Sequence, residues 1–285
     1  METSDTGRVT TSDYQRDVAK YWDTHTNDPV NLALGKIDDI YHHHYGLGDP
    51  DPAVLQAPDG TRDEQIIGEL HRLETAQADV LLDRLGRINA ADRLLDAGSG
   101  RGGTSIMANA RFGCKVDGVT ISAYQVDFAK EQAAKRGRSD QVRFHLCNML
   151  DTGFPDGDFR AIWTNETTMY VDLFDLYQEF ARLLEKGGRY VNITGCYNDV
   201  LGAKSPSVAR IDEHYICNVH PRSIYFKALA ANKLVPIEVL DLTPQTIPYW
   251  ELRNQSSLRT GIEQSFLSAY HEESFHYLLI VADRA

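Results

Sequence analysis

The sequence predicts an α/β fold: a mostly parallel, seven-stranded sheet with helices on both faces, an N-terminal helical cap, and an insertion after the fifth strand. Three observations predict it. Short apolar runs alternate with helix-periodic segments from Arg93 onward. A glycine-rich loop, Gly98-Ser99-Gly100-Arg101-Gly102-Gly103, lies between the first run and the first of those helices. The alternation breaks once, near Tyr197–Val219, and then resumes. Residues 1–88 therefore read as cap and covering segment, and 89–285 as the core, with its insertion at about 197–220.

Taken in order, Asp13 to about Asp23 is helical, with Tyr14, Val18 and Tyr21 spaced to share a face. A turn-rich stretch comes next, through Asn27-Asp28-Pro29 to Gly46-Leu47-Gly48-Asp49-Pro50. Thr61 to about Leu85 is helical, its stripe formed by Ile66, Leu70, Leu73, Ala76, Val80, Leu81 and Leu85. Thr61 before Glu64 fits a capping box, and Gly86 a helix stop. The strands are Arg93–Asp96, Lys115–Ile121, Val142–Asn148, Phe159–Asn165, Arg189–Gly195, Val235–Leu242 and Phe275–Ala282. Between them, Thr104–Phe112, Ala123–Arg136, Leu173–Leu184, Ser223–Ala231 and Glu251–Tyr270 read as helices.

With 42% apolar and 25% charged residues in 285, the chain holds enough apolar side chain for a sizeable core. The net charge of −12 argues against nucleic acid and against anionic membrane as partners. No run approaches the roughly 18 apolar residues of a membrane span, and the polar start lacks a signal-peptide core. Cys114, Cys147, Cys196 and Cys217 show no CxxC spacing and read as reduced thiols in a cytoplasmic protein. The sequence leaves formation of a homo-oligomer open.

Glycines after a strand let the backbone approach a ligand closely and turn tightly into a helix. The order Gly98, Gly100, Gly102, Gly103 does not match the G-x-G-x-x-G of a dinucleotide site. With Asp96 ending the strand, it resembles the D/E-x-G-x-G loop of Rossmann-like class I methyltransferases, which wraps S-adenosylmethionine. The second strand ends Gly118-Val119-Thr120-Ile121-Ser122-Ala123-Tyr124-Gln125, with Thr120 where an acidic residue usually stands. That pattern resembles a subgroup containing cyclopropane fatty acid synthases and small-molecule C- and N-methyltransferases. The resemblance gives ribose contacts to Thr120 and Gln125, while Ser122 also fits a helix N-cap. It gives adenine contacts to Asn148 and Met149, after the third strand.

Residues just past the carboxyl end of a parallel strand face the ligand crevice, which places Glu166 there. Neighbouring side chains diverge, so the run His42-His43-His44 does not readily converge on one ion. The resemblance to such methyltransferases puts Tyr45, an aromatic before a glycine turn, near the transferable methyl group.

Longer runs resemble one family closely. Asn31-Leu32-x-Leu34-Gly35, Tyr41-His42-His43-His44-Tyr45-Gly46, Asp96-Ala97-Gly98-x-Gly100-Arg101-Gly102-Gly103 and Cys147-Asn148-Met149-Leu150-Asp151-Thr152 are similar to geranyl diphosphate C-methyltransferases. So are Asn165-Glu166-x-Thr168-Met169-Tyr170-Val171-Asp172-Leu173, Ile193-Thr194-Gly195-Cys196 and Pro248-Tyr249-Trp250-Glu251-Leu252-Arg253. The resemblance implies carbon methylation of a prenyl diphosphate through a carbocation and proton loss, with S-adenosylmethionine as donor and Mg²⁺ on the diphosphate.

Carried over by residue, Asp96, Gly98, Gly100, Thr120, Gln125, Asn148, Met149 and Asn165 bind the donor. Glu166, Tyr45 and Tyr215 line the reacting centre, with Glu166 or a diphosphate oxygen as base. Asn31, Glu166 and His220 hold the Mg²⁺ through water, and His220, Arg222 and Ser207 meet the substrate. Tyr215 stands where the family has phenylalanine, Ser207 near a family tryptophan, and Ser99 for a family cysteine. The first two bear on prenyl chain length and not on reaction type. Isopentenyl or another prenyl diphosphate, a cyclopropane fatty acid synthase-like acceptor, and a non-catalytic methyl-donor sensor are the competing readings.

Overall fold

The computed structural model describes residues 9–24 and 28–285. Among the described residues, four helices precede the sheet: α1 (Asp13–Asp23), α2 (Asp28–Gly35), the short α3 (Ala53–Gln56) and α4 (Asp59–Leu82). The sheet has seven strands in the order β3-β2-β1-β4-β5-β7-β6. They are β1 (Arg93–Ala97), β2 (Lys115–Thr120), β3 (Val142–Leu146), β4 (Phe159–Asn165), β5 (Leu184–Tyr197), β6 (Leu234–Asp241) and β7 (Phe275–Arg284). The first five run parallel, and β7 is antiparallel to both β5 and β6.

Central strands of such a sheet are covered on both sides, so successive residues feed two different layers. Leu94, on β1, joins Val116, Trp163 and Val191 in a cluster with Leu70 and Leu81 of α4. Ile106 of α5 (Gly103–Phe112) and Val126 of α6 (Ala123–Lys135) complete that layer. Leu95, the next residue, enters the opposite layer with Leu176 and Phe180 of α7 (Leu173–Leu183). The inserted helix α8 (Pro206–Tyr215) contributes Val208 and Ile211 to the first layer. Tyr225 and Leu229, from α9 (Arg222–Ala231), lie in the second layer. Edge strands β3 and β6 keep open positions instead.

Sequence and structure part company at four places. The turn-rich stretch contains α2, whose Pro29 lies in the first turn, where a missing N–H costs little; Asn27 lies outside the described residues. The capping box at Thr61 and Glu64 does not form: the helix begins earlier, at Asp59, with Pro58 as cap. The run Glu251–Tyr270 is two helices, α10 (Thr243–Arg253) and α11 (Glu263–His271), separated by a segment in which Gly261 takes φ +91°. Tyr14 stays partly exposed, and Gln15 turns inward in its place beside Val18 and Tyr21. Among the described residues no helix is long and apolar enough to cross a membrane.

Candidate active site

Strand order reverses at β1, whose neighbours are β2 on one side and β4 on the other. A crevice opens at the carboxyl ends of strands at such a point. Here it is a cavity of about 1300 Å³, its open mouth included. Gly98 and Gly100 border it after β1, Thr120 and Gln125 after β2, Asn148 and Met149 after β3, and Asn165 and Glu166 at the end of β4. From outside the sheet come Asn31 and Tyr45, Tyr215 of α8, Arg253 of α10 and Phe266 of α11.

The loop geometry explains the glycines. Gly98 sits at φ +86°, and a Cβ there would meet Thr167 Cγ2 at 2.3 Å. The Gly98 and Ser99 amides both donate to Val119 O at 2.9 Å, which locks the turn against β2. Asp96 is buried beneath this loop, accepts from Ser105 Oγ at 2.6 Å and does not border the cavity. Burial pushes its carboxyl up to about 7.

Thr120 Oγ1 donates to Gln125 Oε1 at 2.8 Å. Ser122 is the N-cap of α6, accepting from Gln125 N at 3.2 Å. Its hydroxyl also donates to Asp23 Oδ1 of α1 at 2.6 Å. Gln15 of α1 accepts from Asn148 Nδ2 at 3.1 Å, so the amide read as an adenine contact meets the first helix here. Tyr14 and Tyr21 of α1 donate to the carbonyls of Ile216 and His214, each at 3.0 Å.

Glu166 occupies left-handed backbone at φ +56°, a conformation that disfavours any side chain. Its Oε1 is buried without a hydrogen-bond partner, and burial pushes the carboxyl up to about 8. The Tyr277 hydroxyl nearby partly offsets this. An orphaned, strained carboxyl in a cavity is the pattern of a functional group. Tyr45 lies 4.5 Å from Trp250 and 5.0 Å from Phe266, ring centre to ring centre.

Three residues expected at the substrate are not brought to the cavity. His220 Nε2 lies 3.2 and 2.9 Å from the carbonyls of Thr168 and Val171, which commits it to the turn after β4. Arg222 Nη1 lies 3.1 Å from His276 Nδ1, at the start of α9. Ser207 is in the first turn of α8. The cation that does border the cavity is Arg253, 5% exposed, with Nε on Glu263 Oε1 at 3.1 Å and Nη1 at 3.4 Å from the Tyr249 hydroxyl. Tyr249 in turn donates to Glu74 Oε1 of α4 at 2.8 Å. Sequence reasoning missed Arg253 because its sole signal was membership of a longer run. His44 Nδ1 meets Tyr45 O and its Nε2 meets His42 Nδ1, each at 3.1 Å; His42 Nε2 lies 3.4 Å from Thr75 Oγ1. No group of three or more His, Cys, Asp or Glu among the described residues could hold a metal ion.

A methyltransferase-domain family model matches residues 94–188, the span that carries the glycine loop and β4. The geranyl diphosphate 2-C-methyltransferase of Saccharopolyspora erythraea is 58% identical over 271 residues, 95% of each chain. The chain belongs to the geranyl diphosphate 2-C-methyltransferase family. The Streptomyces ambofaciens family member is 52% identical over the full length of both chains. A geranyl diphosphate methyltransferase structure with GPP and sinefungin superposes with a TM-score of 0.94 at 53% identity, covering 95% of this chain and 100% of that one. The Streptomyces coelicolor A3(2) enzyme, bound to Mg²⁺, geranyl-S-thiolodiphosphate and S-adenosyl-L-homocysteine, gives 0.94 at 52% identity over 96% and 99%. The class I methyltransferase fold of this family accounts for the strand order and for the antiparallel β7.

Proposed function

We propose that this chain transfers a methyl group from S-adenosylmethionine to C2 of geranyl diphosphate, giving 2-methylgeranyl diphosphate. One observation carries the reading: a glycine cradle, an orphaned carboxyl, aromatic faces and a buried guanidinium all border a single cavity. The cradle at Gly98 and Gly100 leaves room that any side chain would fill, and with Thr120, Gln125, Asn148 and Met149 it suits the donor. Bound there, the donor supplies an electrophilic methyl on a sulfonium.

An alkene is a weak nucleophile, so orientation supplies much of the acceleration. The C2=C3 π pair forms the new bond to the methyl carbon, and the electrons of the broken carbon–sulfur bond stay on sulfur. The positive charge moves to C3, a tertiary centre. Tyr45 and Tyr215 present aromatic faces, which attract cations electrostatically. Loss of the proton on C2 restores the double bond, and the Glu166 carboxylate receives that proton.

The diphosphate needs positive charge in an acidic protein. Arg253 takes that role here in place of Arg222 and His220, because its guanidinium borders the cavity and their side chains do not. Mg²⁺ favours oxygen ligands and retains waters, and Asn31 and Glu166, which both border the cavity, would bind waters of its shell. His220, with Nε2 on two carbonyls, is left out of that set. The four free cysteines agree with a reducing, cytoplasmic location.

Incubating the protein and donor with prenyl diphosphates of increasing chain length, and weighing the products, tests the reading. A product 14 mass units (about one CH₂) above geranyl diphosphate is expected. Turnover confined to isopentenyl diphosphate or a lipid alkene, or no turnover with any prenyl diphosphate, would overturn it.

A further inference from the structure

Glu166 depends on a residue that never reaches the cavity. Gln77 of α4 is fully buried and lies 88 residues from Asn165 in the chain. Its Nε2 donates to Asn165 Oδ1 at 2.7 Å, and its Oε1 accepts from Asn165 Nδ2 at 2.9 Å. The two carboxamides are therefore joined by a reciprocal pair. The second hydrogen on Gln77 Nε2 goes to the Tyr277 hydroxyl oxygen at 2.9 Å.

These bonds leave little freedom. A hydroxyl that accepts from Gln77 must send its own proton elsewhere. The Glu166 carboxyl lies near enough to that hydroxyl to push its pKa further above the usual phenol range. Were the Gln77 amide turned over, its oxygen would face Tyr277 and draw the hydroxyl proton away from Glu166. Tyr277 cannot swing to compensate. Its ring is fully buried, its N–H donates to Thr243 Oγ1 at 2.9 Å, and its C=O accepts from Leu242 N at 2.7 Å. The same glutamine holds Asn165, the residue directly before Glu166, whose own backbone is fixed in left-handed conformation with its N–H on Ile193 O at 3.0 Å. Asn165, expected as a donor contact, thus has its amide committed to Gln77.

We infer that Gln77 is a positioning residue for proton removal, acting on Glu166 from behind through Asn165 and through the hydroxyl proton of Tyr277. It touches neither donor nor acceptor. By fixing the direction of the Tyr277 O–H bond it keeps Glu166 an acceptor on one side, with the remainder of the carboxyl facing the substrate. This inference rests on the reading of Glu166 as base.

Three variants test it: Gln77→Leu, Gln77→Glu and Tyr277→Phe, each alone, paired, and combined with Glu166→Gln. Gln77→Leu removes the amide at similar volume, and Gln77→Glu replaces the donor with an acceptor. Tyr277→Phe removes only a hydroxyl, so it reports even where a Gln77 variant fails to fold. Each should lower kcat roughly 10- to 100-fold, a fraction of what a general base contributes. KM for the prenyl diphosphate and S-adenosylhomocysteine affinity by calorimetry should stay within about threefold. The Gln77→Leu/Tyr277→Phe pair should be no slower than the slower single variant, and neither change should slow Glu166→Gln further. A purely structural role predicts losses that multiply and that persist in the Glu166→Gln background; that result overturns the inference. So does wild-type kcat in Gln77→Leu or, where neither Gln77 variant folds, in Tyr277→Phe, while Glu166→Gln is impaired. Wild-type turnover in Glu166→Gln itself instead removes the base reading on which the inference stands.

Discussion

Replacing Glu166 by glutamine should move turnover and stability in opposite directions. The carboxyl is buried, and its pKa is raised from 4.5 to about 8. Between those values the folded protein holds a proton that the unfolded chain has released. Wild-type stability therefore falls, relative to a variant with no titrating group, as pH rises from about 4.5 to about 8, and levels off above. The full shift corresponds to roughly 4–5 kcal/mol at about 1.4 kcal/mol per unit. Relaxation of the site and entry of water reduce this to ~2 kcal/mol. Tm moves about 2–4 °C per kcal/mol in a chain approaching this size. Ligand-free Glu166→Gln should thus melt roughly 5 °C above wild type at pH 8.5 and close to it at pH 5. Its turnover number should fall about 10²- to 10⁴-fold, the usual contribution of a general base. Thermal melts across pH and single-turnover assays read both. A melting difference that does not change with pH would refute the burial argument, and wild-type turnover would refute the catalytic one. If Glu166 acts only through the Mg²⁺ shell, raising magnesium should restore the rate; a base would not be rescued.

Further outcomes concern the two ligands. Gly98→Val should abolish S-adenosylmethionine binding, because a Cβ would come within 2.3 Å of Thr167 Cγ2 and φ is +86°; near-normal affinity by calorimetry in a folded variant would contradict this. Exhaustive chelation should remove turnover while S-adenosylhomocysteine still binds, and full activity at verified zero metal would exclude an obligatory ion. Arg253→Lys should raise KM for the prenyl diphosphate at least about tenfold, since a single ammonium cannot replace a fork. Arg222→Lys should leave KM unchanged, and equal effects of the two changes would dissolve the distinction between them.

The sheet was legible in the sequence because its strands are short, apolar and separated by glycine turns, and the structure has all seven. The glycine loop and Glu166 were legible for the same reason: a parallel sheet brings strand ends to one side. Helix α2 was not, since Asp28-Pro29 signals a turn and a helix start equally well. Nor was the break between α10 and α11, where helical periodicity continues on either side of Gly261. Arg253 and Gln77 were beyond reach for another reason. Gln77 meets Tyr277 200 residues away, and Arg253, whose own partners Tyr249 and Glu263 are near in sequence, is tied to α4 through Tyr249, 175 residues from Glu74. Periodicity reports which face is buried and is silent on which buried amide meets which hydroxyl. The placement of His220 and Arg222 shows the converse: a histidine and an arginine beside the insertion draw attention, yet neighbouring carbonyls and a ring have already engaged them.

One turn of α4 touches the supports of three cavity groups. Glu74 reaches Arg253 through Tyr249, Thr75 reaches the Tyr45 carbonyl through His42 and His44, and Gln77 reaches Asn165 and Tyr277. A helix advances about 1.5 Å per residue and is stiff over so short a span. It thus acts as a ruler, setting the spacing of guanidinium, aromatic ring and carboxyl by its pitch, where loops could drift. Laboratory evolution that enlarges the acceptor pocket can vary Ile211, a cavity residue of α8 outside these three supports. A single residue inserted within residues 74–77 would rotate the C-terminal part of the helix by about 100° against the N-terminal part, and the three supports would lose their common spacing at once.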